Sequence, residues 1–367
     1  MKVIYVGDLQ GWNTTYARFK GLKEIEDNVK EFNISSYFDG VSHLHSSIEW
    51  KVFCGPILLR ANKDLCMLAE SFRPDIIWVD KGHWIYPSTI KRLRTYGAFL
   101  VQHNTDSLYG RHCSVRWQYR LQRRALPHFD LYFTTNHLDH EFLCTQTAPR
   151  TELTYLGYDH FRFDNAQLPA DVADKWASDL LFVGHYEPRT GAYILALLEA
   201  GLPVTVYGAG WEQVSRRSKT LQDHVRLGFL TGEEYVWALK GAKIGLCFLS
   251  ERNGNYDAAR SYEIPACGTF LLGMRTRRHM ECYVEGKEAE FFGGIEELVQ
   301  KAKFYLENDS LRRTIAQNGW LRCTTSDYSW MRYMRDDWSK VLAAFEERTQ
   351  KSTRSRSEVI QAHNEFR

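Results

Sequence analysis

The sequence predicts an α/β protein built of two Rossmann-like, doubly wound units that face each other across a cleft. Three observations lead there. Short β-branched and aromatic runs alternate with longer amphipathic stretches, the pattern of βαβ units around parallel sheets. These runs form two series, divided by a stretch that keeps no sustained period. The length of 367 residues suits two domains better than one, at about 100–200 residues each.

The first series comprises Val3–Val6, Ile76–Val79, Phe99–Gln102 and Leu131–Thr134. In Pro74-Asp75-Ile76-Ile77-Trp78-Val79-Asp80 a turn leads into a continuous apolar run, as for a strand buried on both faces, and a polar residue marks its carboxyl end. Ligands of open α/β sheets bind at that edge. The second series comprises Leu180–Val183, Val204–Tyr207, Val225–Leu227, Ile244–Phe248 and Thr269–Leu272. Between them, Phe161–Ala177 carries Asp164, Asn165, Pro169 and Asp171 and reads as an interdomain linker. Residues 1–165 thus form the first unit and 175–328 the second. Trp330, Met331, Met334, Trp338, Val341, Leu342 and Phe345 recur at spacings of three and four, one apolar face of a terminal helix over about 329–349. The polar remainder, residues 351–367, is expected to be a flexible tail.

Composition removes several classes. With 44% apolar, 14% aromatic and 25% charged residues the chain can bury a sizeable core, so wholesale disorder is excluded. The 47 Lys+Arg against 45 Asp+Glu leave a formal charge of only +2, so an anionic partner must be read by a local patch. Met1-Lys2-Val3-Ile4-Tyr5-Val6-Gly7 breaks at glycine where a signal peptide would continue its apolar run. No stretch reaches the ~18–20 apolar residues needed to span a bilayer. The eight cysteines (54, 66, 113, 144, 247, 267, 282 and 323) never approach a C-x-x-C spacing, which argues against a zinc knuckle or a compact disulfide framework. A reduced, cytoplasmic protein is expected, peripheral to a membrane if it meets one.

Two ligand classes fail on their motifs. Gly7-Asp8-Leu9-Gln10-Gly11 and Gly184-His185-Tyr186-Glu187 both miss the G-x-G-x-x-G of dinucleotide binding, and Gly286-Lys287-Glu288 supplies no P-loop.

The most specific segment is Arg260-Ser261-Tyr262-Glu263-Ile264-Pro265-Ala266-Cys267-Gly268-Thr269-Phe270-Leu271-Leu272, followed by Glu285-Gly286-Lys287-Glu288-Ala289-Glu290-Phe291-Phe292. It resembles the CgeB-like glycosyltransferases, which carry a similar R-x-x-E-I-P-A-C-G block and then E-G-K-E-A-x-F-F. The similarity extends through Tyr207-Gly208-Ala209-Gly210-Trp211 and Phe182-Val183-Gly184-His185, and more weakly to Phe129–Asn136 and Tyr155–Asp159. The resemblance implies a GT-B fold, with an acceptor-binding first unit, a nucleotide-sugar-binding second unit and a final helix crossing back. It also implies that Glu263 hydrogen-bonds the nucleotide ribose, as the acidic residue does in related family 4 enzymes. Their other acidic position, eight residues earlier, is Asn255 here; an amide can bond a sugar hydroxyl but offers no carboxylate.

Glycosyl transfer from a nucleotide sugar builds negative charge on a diphosphate, so cations and backbone donors must meet it. Arg189 and Arg260 are the expected clamps, since guanidinium groups contact phosphate in bidentate fashion; each could instead sit in an ordinary ion pair. Gly184 ends a strand, and a helix read over Ala192–Leu198 could turn its N–H groups toward phosphate. Gly208 and Gly210 form either a donor-facing loop, with Gly184 and His185 beside it, or only a positive-φ turn. No metal or cofactor is expected, GT-B enzymes commonly working without one.

On the acceptor side, Gln102-His103-Asn104-Thr105-Asp106-Ser107 places His103 and Asp106 at a strand's carboxyl edge. Either suits a general base, or His103 is a buried core histidine and Asp106 a helix cap. Gly7–Trp12 and Asp80-Lys81-Gly82-His83 occupy equivalent edges. Between Lys91 and Arg124 stand eight Lys or Arg residues against the single acid Asp106. Arg116, Arg120 and Arg123 share one helical face, which is either a solvated surface or the reader of an anionic acceptor: a charged glycan, a lipid-linked intermediate or DNA. Tyr109, Trp117 and Tyr119 nearby could stack on sugars or bases. Two rival functions keep the same fold, a catalytically silent coat-associated binding protein and a nucleotide-sugar epimerase.

Overall fold

In the computed structural model residues 1–11, 13–110, 117–146, 149–216, 218–226 and 228–365 are described, with 43–47 and 352–365 by their backbone alone. Two six-stranded sheets organise the chain, and all their pairings are parallel. The first contains β1 (Val3–Gly7), β2 (Val29–Asn33), β3 (Ile76–Asp80), β4 (Phe99–Asn104), β5 (Leu131–Thr134) and β6 (Arg150–Leu153), in the order β2-β1-β3-β4-β5-β6. The second contains β7 (Ser178–Val183), β8 (Val204–Tyr207), β9 (Val225–Arg226), β10 (Ala242–Cys247), β11 (Phe270–Met274) and β12 (Glu290–Phe292), in the order β12-β11-β10-β7-β8-β9.

Strand alternation sets both faces of the first sheet. Val3 and Tyr5 of β1 pack with Trp78 against Met334, Trp338 and Val341 of the terminal helix. Ile4 and Val6, one residue out of phase, pack against Leu58, Ala61 and Leu65 of the helix Pro56–Phe72. Each fully buried side chain of this size contributes about 1.5–3 kcal/mol through burial alone.

Every run read from the sequence is a strand, shifted by at most two residues at its ends, although Leu227 lies outside the described residues. β2, β6 and β12 are additions. All three lie near or at a sheet edge, where the apolar signal is weak: β2 reads Val-Lys-Glu-Phe-Asn and β6 reads Arg-Thr-Glu-Leu.

The stretch 161–177 differs from a loose linker. It holds short helices at His160–Phe163 and Ala173–Trp176, and Phe163, Ala166 and Trp176 are buried in the second unit's core. The terminal helix runs from Trp330 to Glu365, so the polar segment 351–365 continues the helix rather than forming an irregular tail. Its entry is fixed where Tyr158 N–H donates to the Tyr328 carbonyl and Trp330 N–H donates to the Tyr158 carbonyl, at 3.1 and 3.0 Å. The helix then returns across the first sheet.

The strand orders place two crevices. In each sheet the order reverses beside the first strand: between β1 and β3 in the first, between β7 and β10 in the second. At such switch points the connections leave in opposite directions and open a pocket at the strands' carboxyl ends. Among the described residues every cysteine is free, and no helix is long and apolar enough to cross a membrane.

Candidate active site

Both switch points carry cavities. At the second sheet a cavity of about 230 Å³ is lined by Gly184 and His185 after β7, Gly208 after β8, and Arg260 and Glu263 of the helix Arg260–Ala266. The opposite wall comes from the first unit and the crossing segments, with Asn13, Thr14, Arg162 and Trp330. The fold therefore brings five of the residues expected at the donor, namely Gly184, His185, Gly208, Arg260 and Glu263, into one cleft.

The glycines are there for space. Gly208 has φ +135°, and a Cβ on it would stand 2.2 Å from the Gly184 carbonyl oxygen. That carbonyl accepts a hydrogen bond from Trp211 Nε1 at 2.9 Å, while Gly184 N–H donates to the Tyr207 carbonyl. Two backbones thus cross in close contact at the lip of the cavity, an approach that only a glycine at 208 allows.

Glu263 accepts a hydrogen bond from the Tyr235 hydroxyl at 2.6 Å. Burial raises its pKa above the ordinary glutamate value, against the opposing pull of that hydroxyl and of Arg260. One guanidinium nitrogen of Arg260 donates to the Phe248 carbonyl at 3.0 Å, and its Nε is buried with no partner among the described residues. Arg260 lines both this cavity and a neighbouring one of about 620 Å³ that reaches Asp106. No ion pair joins it to Glu263 among the described residues.

Arg189 stands elsewhere. Its helix begins at Pro188, earlier than the read span Ala192–Leu198, and its guanidinium donates to the Leu249 carbonyl and pairs with Glu251 at 3.4 Å. It lines neither cavity. The cap of that helix is Glu187, whose carboxylate already accepts from Ser250 Oγ and from the Glu251 N–H. That carboxylate makes no capping bond to the helix's own N–H groups.

Asn255 faces the first unit rather than the donor cleft. Its Oδ1 accepts from Asn136 Nδ2 at 2.6 Å, and its Nδ2 donates to the Thr105 carbonyl at 3.2 Å. Alongside, Asn136 Nδ2 also donates to the Asn253 carbonyl, and Asn253 Nδ2 donates to Asp106 Oδ1 at 3.1 Å. These four bonds close one side of the cleft.

The two residues read as general bases separate sharply. His103 is 1% exposed, stacks on Trp78, and has no hydrogen-bond partner for either ring nitrogen among the described residues. Its Nε2 lies 3.9 Å from Asp337 of the terminal helix, and burial beside Arg18 pushes its pKa down to about 3. A ring sealed beneath the sheet cannot reach an acceptor hydroxyl. Asp106 does face the cleft, paired with Lys81 at 3.5 Å. Burial opposes its ionisation, but Lys81, His83 and the Tyr119 hydroxyl outweigh that, and the carboxyl titrates below its ordinary value.

Only two members of the arginine face are described. Arg116 lies outside the described residues. Arg120 donates to the Trp117 and Val52 carbonyls and stacks on the Trp117 ring at 3.8 Å, while Arg123 donates to the Leu108 carbonyl at 2.7 Å. Tyr119 is buried at 3% exposure, whereas Trp117 is 54% exposed.

At the first sheet's switch point a larger cavity of about 580 Å³ is lined by Gly7 and Asp8 after β1, Asp80, Lys81 and His83 after β3, and Trp50, Trp84 and Trp117. It shares Asn13 and Thr14 with the donor-side cavity, so the two adjoin. Asp80 is held by Arg18 in a buried two-pronged pair at 2.6 and 2.7 Å and accepts from Tyr5 OH. Burial works against that carboxylate, yet Arg18 holds it at about 2. Sequence reasoning missed Tyr235, Arg162 and Trp330 because nothing local marks them. The loops Gly7–Trp12 and Asp80–His83 were legible as strand ends, Trp12 itself lying outside the described residues. Among the described residues no three His, Cys, Asp or Glu side chains converge to hold a metal ion.

Residues 189–336 match a family model described as glycosyl transferase-like. No curated protein matches the chain. Among solved structures, sucrose-phosphate synthase from Thermosynechococcus elongatus aligns with a TM-score of 0.65 at 12% identity, covering 94% of this chain and 100% of that one. Anabaena Alr3699/HepE in complex with UDP-glucose aligns at 0.64 and 13% identity, with 94% and 100% covered. Trehalose-6-phosphate synthase OtsA aligns at 0.64 and 11% identity, with 93% and 99% covered. Residues 189–336 are thus similar to the glycosyl transferase-like family, and the whole chain has the GT-B fold of these structures.

Proposed function

We propose that the chain transfers a sugar from a nucleotide-diphosphate sugar, bound at the carboxyl edge of the second sheet, to a hydroxyl acceptor bound against the first. The observation that carries this reading is the cavity where the bare Gly184–Gly208 backbone crossing, Arg260 and the Tyr235–Glu263 pair meet. Each suits one part of the donor. The backbone crossing forms the lip of the site, Arg260 offers the diphosphate charge that stays fixed throughout, and the Glu263 carboxylate accepts from ribose hydroxyls. On the facing wall Arg162 and Lys20 share the Asp159 carboxylate, at 3.7 and 3.4 Å, and the three together add one net positive charge.

In the reaction the bond from the sugar's anomeric carbon to the diphosphate oxygen breaks and one to the acceptor oxygen forms, releasing a nucleoside diphosphate and the hydroxyl proton. Charge grows on the departing oxygen, where fixed cations stabilise it without reorganising. Arg260 and the net positive Arg162–Lys20–Asp159 group supply that charge, so the reading assigns no metal to the step. The solved complex of HepE with UDP-glucose, on the same fold, supports this class of donor. The adjoining first-sheet cavity gives the acceptor a place to enter, with Asn13 and Thr14 at the junction.

A melting-temperature screen against nucleotide sugars, followed by assay of the best binder for nucleoside-diphosphate release in chelator, tests the reading. Selective stabilisation with release is expected, because a ligand that binds only the folded chain raises its melting temperature. Stabilisation without release, with or without acceptors, would leave a nucleotide-sugar-binding protein. Conversion of the donor's own sugar without transfer would make it an epimerase.

A further inference from the structure

The first-sheet cavity has a composition that narrows the acceptor beyond "a hydroxyl". Its mouth is aromatic. Trp117 and Trp50 line it while remaining 54% and 38% exposed, and Trp84 lies behind them with its ring centroid 3.7 Å from that of Trp50. Large exposed aromatic faces at a cavity are binding surfaces more often than accidents of packing.

The charges that line this cavity are already matched. Lys81 pairs with Asp106, and Arg18 pairs with Asp80. Arg120, which stacks on Trp117 from outside the lining, donates to the neutral Trp117 and Val52 carbonyls and keeps its charge. His83 is kept neutral, burial and Lys81 pushing its pKa down to about 4. Asp8 and Lys51, of opposite sign, add no net charge to the lining. Among the described lining residues Asp8 and Asp80 balance Lys51 and Lys81, so the lining itself offers an anionic ligand no surplus of cations to offset its desolvation.

Three lining residues also carry buried polar atoms with no partner among the described residues: Asp8 Oδ1, an acceptor; Trp84 Nε1, a donor; and His83 Nδ1, which can be either. Buried polar atoms are nearly always bonded, so such a cluster beside a cavity calls for a ligand or water. A hydroxyl both donates and accepts and can serve atoms of either kind.

We propose that this cavity binds an uncharged saccharide, its ring laid on Trp117 and Trp50 and its hydroxyls turned toward Asp8 and Trp84. The proposal rests on the glycosyl-transfer reading above and names the acceptor class for it. It takes the place of the anionic acceptor expected from the arginine run.

Fluorine NMR on the full chain labelled with fluorotryptophan tests it, with Trp50→Phe, Trp117→Phe and Trp330→Phe assigning three resonances. The probes are sucrose, maltose, cellobiose and lactose at up to about 100 mM, where millimolar affinities register, then a heparin-derived disaccharide, a short single-stranded DNA, and UDP. At least one neutral disaccharide is expected to shift the Trp117 and Trp50 resonances, with the heparin disaccharide and the DNA leaving them in place. Shifts from the anionic probes alone, or none from any neutral disaccharide, would overturn the proposal. The donor reading has its own reporter, because Trp330 lines the donor-side cavity and is expected to respond to UDP. A silent Trp330 counts against that reading, and the sugar arm still decides the acceptor class.

Discussion

Asn136, at the start of the helix that follows β5, donates from Nδ2 to Oδ1 of Asn255 at 2.6 Å, joining the two sheets' loops across the cleft. Asn255 stands eight residues before Glu263, where related enzymes carry an acid. Its amide both accepts from Asn136 and donates to the Thr105 carbonyl. A carboxylate could accept the first bond but would face the carbonyl with a second lone pair. The amide at this position therefore ties the loops of the two units together.

Replacing Asn255 with alanine removes both bonds and leaves the Asn136 amide one partner short. A loss of about 1–3 kcal/mol in unfolding free energy is expected from denaturant titration, together with a larger radius of gyration by solution scattering. Nucleoside-diphosphate affinity is expected to change little, since Asn255 does not line the donor-side cavity. A large loss of that affinity with the dimensions unchanged would place Asn255 on the donor instead.

Gly208→Ala tests the backbone crossing. The residue would need φ near +135° and a Cβ within 2.2 Å of the Gly184 oxygen, so the two strand ends must part. A cost of about 1–3 kcal/mol or more is expected from the strained backbone alone, and nucleoside-diphosphate binding should weaken in the same variant. Gly210→Ala makes a useful comparison, because it shares a positive φ, at +84°, but its nearest neighbour is a Tyr186 side-chain atom at 3.2 Å, so the difference between the two variants reads the crossing. Equal behaviour of the two would remove the special role of the crossing.

The buried pair His103 and Asp337 makes opposite demands on pH. Burial raises Asp337 to about 7, from an ordinary aspartate value of about 3.9. Between those values the unfolded chain binds fewer protons than the folded one, so this group's stabilisation falls as pH rises and is gone above about 7. His103 is lowered to about 3 from about 6.5, so its contribution rises with pH over that window. Asp337→Asn, which can still accept from Thr154 Oγ1, leaves the histidine slope alone. Relative to wild type, the variant is expected to gain about 2–4 kcal/mol between pH 4 and 7. Parallel stability curves for the two proteins would refute the assignment.

The same residues show how far the sequence could be read. β1, β3, β4, β7 and β10 carry continuous apolar runs because both their faces are covered, and such runs announce themselves. The edge strands β2 and β6, half wet, do not. His103 was legible as a strand-end residue, but only its phase says which way it points: it follows Phe99 and Val101, which pack beneath the terminal helix, so alternation turns it toward Asp337. Asp106, past the strand, escapes that phase and reaches the cleft. Glu263 could be found through its motif. Tyr235, which orients it, lies 28 residues upstream and is brought there only by the fold. The tryptophans of the acceptor-side cavity come from three separate segments, so no local spacing could have joined them.

Isothermal titration of the common nucleoside diphosphates into wild type, Glu263→Ala and Arg260→Ala tests the donor site most directly. The wild type is expected to bind at least one of them, and each variant to bind it about tenfold or more weakly, which is a loss of at least about 1.4 kcal/mol, while remaining folded by circular dichroism. Equal affinity in all three proteins, or no binding by the wild type, would contradict the placement of the donor on the second sheet.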